Sequence, residues 1–167
     1  MTEAADKTLD LIKTKYPEIE WLFDYSYDML SVECPTAHIA ELLEFLRDDP
    51  EAGFTFLTDL CGIHIPGHVN KELGVIYHLH NMQRNERLRV KTFFSIAHPR
   101  VHTMTHLWPA ANWMERETYD FFGVEFVGHP DLRRILNVDD MDYFPLRKQY
   151  PLEDGTRTDK EDEFFGR

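Results

Sequence analysis

The chain has 167 residues, 30 Asp and Glu against 18 Lys and Arg, a formal net charge of -12 and a mean hydropathy of -0.46. That length suits one well-cored domain and is short for two, and the acidic balance argues against nucleic acid or anionic lipid as a partner, since both want a basic face. No apolar run nears the roughly 20 residues of a membrane-spanning helix, and the acidic start Met1-Thr2-Glu3-Ala4-Ala5-Asp6 is unlike a signal peptide, so a soluble intracellular chain is expected.

Residues 4–15 place Leu9, Ile12 and Tyr16 at helical spacing, with Pro17 as the stop. Ile19 to Asp24 and Tyr27 to Glu33 read as strands, with the hairpin turn expected at Tyr25-Ser26. Pro35 opens a second helix, because its missing N–H costs nothing at the first helical position, and Ile39, Leu42, Leu43 and Leu46 form its apolar stripe. From Gly53 to Ala97 the period is two. Gly74 to Gln83 and Arg87 to Ile96 flank Arg84-Asn85-Glu86 as a tight hairpin, with Leu88, Val90, Phe94 and Ile96 directed inward and Arg89, Lys91 and Ser95 outward. A third helix is expected from Pro109 to Phe122, closed by Gly123. Beyond it, prolines at 130, 145 and 151 argue for an irregular extended arm, and Glu153 to Arg167 reads as a mobile charged tail. The element order implies an α+β fold, a two-layer domain with helices on one side of a mixed sheet: a core domain over 1–123, then an arm and tail over 124–167.

The densest stretch is Glu115-Arg116-Glu117-Thr118-Tyr119-Asp120-Phe121-Phe122-Gly123, continued by Val124-Glu125-Phe126-Val127-Gly128-His129-Pro130-Asp131-Leu132-Arg133-Arg134-Ile135-Leu136. Charges beside so many aromatics suit an interface where the charges are paired. Arg116 and Asp120 stand four apart on the expected helix, but an exposed pair of that kind contributes only about 0.3–0.5 kcal/mol, too little to account for the segment. Glu115 and Glu117 do not read as a catalytic pair, since residues two apart on a helix diverge by about 200°. Arg133-Arg134 and Arg147-Lys148 are unusual in so acidic a chain, and each adjoins a proline-bearing apolar stretch, as expected of cations docked on a neighbour's carboxylates and carbonyls.

Two cysteines, Cys34 and Cys61, cannot supply the four thiolates of an iron–sulfur cluster, and neither lies in a zinc-type spacing. His98, His102 and His106 recur at four, yet Pro99 and the β-branched Val101, Thr103 and Thr105 disfavour the helix that would align them. His78 and His80 share a strand face without a carboxylate or thiolate nearby in sequence, so the histidines are expected to be solvated or core residues and no metal site is expected. Phosphate loops, a nucleophile elbow and a dinucleotide fingerprint are absent from the sequence.

The same stretch resembles the signature of the 30 kDa subunit of respiratory complex I, the C component of the bacterial NADH-quinone oxidoreductase, E-R-E-x-Y-D-x-F-G-x-x-F-x-x-H-P-x-L-x-R-I-L, at every fixed position. Family-like pieces flank it at Leu57-Thr58-Asp59-Leu60-Cys61-Gly62, Tyr77-His78-Leu79, Arg87-Leu88-Arg89-Val90-Lys91, Trp108-Pro109-Ala110-Ala111-Asn112-Trp113 and Pro145-Leu146-Arg147-Lys148. Gln149 stands where the family often has aspartate, and Tyr143-Phe144 replaces a Gly-containing pair.

The resemblance implies a two-layer domain whose C-terminal extension lies along neighbouring subunits. It also implies a protein that binds no cofactor, within a complex whose other chains carry FMN, iron–sulfur clusters and the quinone site. Expected partners are the 49 kDa-type subunit, which shapes the quinone cavity, and adjacent iron–sulfur subunits, all in the peripheral arm at the cytoplasmic face of the bacterial inner membrane. The expected interface residues are Glu115, Arg116, Glu117, Tyr119, Asp120, Phe122, His129, Arg133, Arg134, Arg147 and Lys148. An equivalent subunit of a ferredoxin-fed or hydrogenase-type membrane complex is the alternative, with a free-standing metal-binding or hydrolytic protein as a third reading.

Overall fold

The computed structural model describes residues 3–151, so the expected charged tail, Glu153 to Arg167, lies outside the described residues. Among the described residues, three α-helices, α1 (Glu3–Lys15), α2 (Ile39–Asp48) and α3 (Ala111–Phe122), accompany seven strands. The strands are β1 (Leu22–Ser26), β2 (Met29–Glu33), β3 (Phe56–His64), β4 (Leu73–Asn81), β5 (Glu86–Phe94), β6 (Arg100–His102) and β7 (Glu125–Val127). The fold is α+β with a mixed five-stranded sheet in the order β1-β2-β5-β4-β3. Its β2–β5 pair is parallel and its other pairs are antiparallel.

Local sequence explains most elements. The α2 stripe Ile39, Leu42, Leu43 and Leu46 is wholly buried, and the strands alternate, with Val75, Tyr77 and Leu79 on β4 and Leu88, Val90 and Phe94 on β5 turned into the same core. Leu9 and Ile12 of α1 join them, so both helices lie over one face of the sheet. Thr8 Oγ1 donates to Glu86 Oε1 at 2.7 Å and ties α1 to the start of β5.

Several boundaries differ from the sequence reading: Pro35, expected to open the second helix, precedes a 3-10 turn over Thr36–His38, and α2 itself starts at Ile39. The first hairpin turns at Tyr27-Asp28, where both φ angles are positive (54° and 56°). Two such residues make the twist that suits a two-residue hairpin, which leaves Tyr25 and Ser26 to pair with Leu30 and Met29. Helix α3 begins at Ala111, because Trp108 and Pro109 belong to the turn that leads into it. The arm is not irregular from Val124: β7 pairs in parallel with β6, placing Val101 opposite Phe126 and burying both. This short pairing connects residues 25 apart in sequence, a separation that no local periodicity reveals. No helix among the described residues is long and apolar enough to cross a membrane.

Candidate functional site

The expected interface residues gather on α3 and the arm that follows it. Helix α3 ends at Gly123, whose φ of 73° is left-handed and whose N–H returns to Tyr119 O. A Cβ there would lie 2.5 Å from the Phe144 ring and 2.7 Å from Arg147 Nη2, so glycine both ends the helix and lets the arm close over its end.

Asp120 is the hub of this closure. Its side chain is fully buried, and Oδ1 accepts a hydrogen bond from Arg134 Nη1 at 2.7 Å. Oδ2 accepts the backbone N–H groups of Ile135, Leu136 and Asn137 at 3.1, 2.8 and 2.9 Å. Burial by itself would raise the pKa of this carboxyl; the N–H groups of Asn137 and Leu136 and the Arg134 guanidinium overcome that and hold it well below the usual carboxylate range. Arg134 also donates to the carbonyls of Asp120, Met141 and Tyr143, at 3.0, 2.6 and 3.0 Å. One carboxylate and one guanidinium therefore tie residues 134–143 into a loop closed on the end of α3.

The remaining arm residues have comparable internal roles. Arg116 donates to Arg133 O at 3.2 Å and Arg134 O at 3.1 Å, not to Asp120. Arg147 donates to Phe122 O at 2.8 Å, and its guanidinium carbon lies 4.6 Å from the centre of the Phe144 ring. Tyr119 meets Phe144 edge-on, and the Phe122 ring covers Gly62 on β3 so closely that a Cβ there would overlap it. His129 Nδ1 accepts the Asp131 N–H at 3.0 Å, so Nε2 carries the ring proton and donates to Asn112 O at 3.1 Å. The backbone N–H of Lys148 donates to His64 Nδ1 at 2.8 Å, which anchors the far end of the arm to β3.

Glu115, also fully buried, accepts Thr103 Oγ1 and the Met104 N–H, both at 2.6 Å, and so fastens the segment after β6 to α3. Burial pushes its carboxyl up to about 7, against the opposing pull of those two hydrogen bonds. The hydroxyl of Tyr77 is buried without a hydrogen-bond partner, and the Glu115 charge adds to burial in raising its pKa.

These positions correct the sequence reading in two respects. Glu115 and Asp120 have no exposed surface to offer a partner protein, because apolar burial around α3 leaves their charges only internal donors. The Arg116–Asp120 pairing that the helical spacing allows does not form, and Asp120 pairs with Arg134 of this chain, since three N–H groups and a guanidinium outcompete a helix-surface neighbour for a desolvated carboxylate. Arg134 and Arg147 donate to this chain's own carbonyls, Arg134 to three of them and Arg147 to one. Glu117, Arg133 and Lys148 remain accessible, and so do Trp113, Leu136, Val138, Tyr143 and Leu146; the sequence reading places Leu136 and Leu146 beside the basic pairs but does not add Trp113, Val138 and Tyr143 to them. A sequence signal for most of that set does exist: apolar residues alternate with Asp139, Asp140 and Asp142 in a segment too irregular to bury them.

The family model described as respiratory-chain NADH dehydrogenase, 30 Kd subunit, matches residues 32–156. The chain belongs to that family. It is 37% identical to the C component of the NADH-quinone oxidoreductase of Sinorhizobium medicae over 152 residues, covering 91% of this chain and 75% of that one. It is 43% identical to the equivalent component from Azorhizobium caulinodans over 127 residues, 76% of this chain and 59% of that one. The chain thus spans about three fifths of the length of such relatives. A trypsin-resistant fragment (1-134) of Nqo5 superposes with a TM-score of 0.65 at 28% identity, covering 75% of this chain and 99% of the fragment. A chain of the membrane-bound sulfane sulfur reductase, an archaeal respiratory membrane complex, has a TM-score of 0.72 at 24% identity over 90% of this chain and 87% of that one, a likeness of fold alone. Along the signature stretch, then, Glu115, Arg116, Asp120 and Arg134 close the fold, while Glu117 and the neighbouring Arg133 face outward.

Proposed function

We propose that this chain is a non-redox structural subunit in the peripheral arm of a proton-translocating NADH-quinone oxidoreductase. It supports the quinone-site subunit and so the passage of electrons from NADH to quinone, while flavin, iron–sulfur clusters and quinone are held by other chains. Its partners on this reading are the 49 kDa-type subunit and the adjacent iron–sulfur subunits, at the cytoplasmic face of the bacterial inner membrane. Membership of the 30 Kd subunit family supports the reading.

The observation that carries the structural role is the closure of residues 134–143 on Asp120. An arm held by one buried carboxylate reaches a partner already shaped, so little conformational entropy is lost on docking. Its outer surface offers Leu136, Val138, Tyr143 and Leu146 with Glu117, Arg133 and Lys148 as accessible charges. The apolar residues would supply contact area and the charges register, the usual division of labour in an interface. No catalytic residue is assigned to this chain.

The test is a tagged copy expressed in its host and purified from gently solubilised membranes. Co-purification with an assembly that oxidises NADH with a quinone acceptor is expected, as is loss of that assembly when the chain is deleted. Recovery instead with a ferredoxin-fed or hydrogenase-type assembly would establish the alternative parent complex, and recovery alone would reject the subunit role.

A further inference from the structure

The face of the sheet turned away from α1 and α2 brings together three side chains that the sequence separates. On β3, Asp59 and Cys61 share this outward face, while Leu60 between them points into the core. The register sets His78 of β4 directly opposite Asp59. One ligand atom from each of Asp59, Cys61 and His78 can be chosen so that all lie within 4.8 Å of one another. His78 Nδ1 is buried without a hydrogen-bond partner and faces Asp59 Oδ2 at 3.8 Å, too far for a hydrogen bond. Asp59 and Cys61 also line, with Glu117 and Phe121 of α3, a cleft of about 290 Å³.

We propose that Asp59, Cys61 and His78 bind one borderline divalent cation of the zinc type, with its remaining position open to the cleft. A thiolate and an imidazole select such an ion over magnesium or calcium, and three protein ligands with one open position is a common zinc arrangement. Burial and the neighbouring Asp59 and Glu117 charges raise the Cys61 thiol while Arg89 pulls the other way, so the thiol waits protonated for a positive charge to stabilise its anion.

Arg89 on β5 controls access to the ring. Its Nε donates to His78 Nε2 at 3.0 Å and its Nη1 to Ser31 Oγ at 3.3 Å, which keeps the proton of the neutral imidazole on Nδ1. Binding must therefore move that proton to Nε2, with Arg89 withdrawing toward Ser31 and water. The Cys61 thiol proton goes to solvent, so one proton is released per ion bound. Arg89 therefore competes with the metal for the ring.

The experiment uses the full chain, so it does not depend on the parent complex, and it probes with cobalt(II) and zinc(II) alone. One equivalent of cobalt should produce a thiolate-to-cobalt charge-transfer band that zinc abolishes, with one proton released in weakly buffered solution. The band should vanish in Cys61→Ser, and binding should weaken in Asp59→Asn, a change at an exposed side chain that leaves the fold intact. Arg89→Ala should tighten binding by about tenfold, because the charge-assisted hydrogen bond that holds the ring is gone. A band that survives Cys61→Ser, the absence of any band in the folded wild-type chain, or unchanged or weaker binding in Arg89→Ala would overturn the proposal.

Discussion

The sheet with α1 and α2 and the α3–arm half are built from different forces. The first is closed by apolar side chains: Ile39, Leu42, Leu43 and Leu46 of α2 have no exposed surface, and neither do Val75, Tyr77 and Val90 beneath them. The second shares that apolar core through Trp108, Val124 and Phe126, but its arm is closed by charges placed on backbone groups, with Asp120, Arg134, Arg116 and Arg147 satisfying N–H and C=O groups of the arm and of the end of α3. Burial tolerates many substitutions, since its contributions are numerous and non-directional. A hub carboxylate tolerates almost none, because its removal orphans every donor aimed at it.

The largest effect should come from breaking that hub. Asp120→Ala leaves three N–H groups without their acceptor and a mostly buried guanidinium without its counter-charge, and is expected to cost about 3–5 kcal/mol in thermal or denaturant unfolding. Leu43→Ala in the other half should cost about 2–5 kcal/mol through its cavity. The two should differ in kind: limited proteolysis of Asp120→Ala should cut within 134–143 while the sheet survives, and Leu43→Ala should show no such selective cleavage. Early cleavage of the sheet in Asp120→Ala would mean that the halves do not fail separately.

The pH dependence of stability sharpens the same contrast. Glu115 carries a native pKa raised to about 7, so between the ordinary carboxylate value and 7 the folded chain holds a proton that the unfolded chain has lost. Stability from this group is therefore greatest at mildly acidic pH and falls as pH rises to about 7, by up to about 3 kcal/mol. Asp120 acts in the opposite sense: its folded pKa is depressed, so its contribution is complete above the ordinary carboxylate range and is lost as pH falls below it. Glu115→Gln, which still accepts the Met104 N–H, should flatten the slope between the ordinary carboxylate value and about pH 7 in denaturant titrations. An unaltered slope would assign the dependence to another group.

Arg116→Ala removes two donors to carbonyls of the arm and should cost about 1–2 kcal/mol, visible as faster hydrogen exchange across residues 131–137. Smallest of all should be Glu117→Ala and Arg133→Ala, within about 0.5 kcal/mol in the isolated chain because both side chains are accessible to water. If these face a partner, native-gel assembly in membranes should suffer while unfolding does not. Assembly and turnover as in the unmodified chain would remove both from the interface.

How far the sequence can be read follows the same division. Where neighbours along the chain are neighbours in the pattern, sequence and structure agree: the α2 stripe, the alternation of β5 and the glycine end of α3 all rest on periods of 3.6 or two and on the freedom of one residue to take positive φ. The ordered signature through Leu136 likewise identifies the family without any geometry. Partnership is different. Asp120 reaches Arg134 and not Arg116, β6 finds β7, and His78 acquires Asp59 and Cys61 from the adjoining strand. In each case the outcome depends on how elements far apart in sequence are packed and on which groups lose water. Composition and spacing determined which charges this protein possesses and where most of its regular elements run; only the tertiary structure decided which charges are buried against one another and which stay in contact with water, because that depends on how distant segments pack.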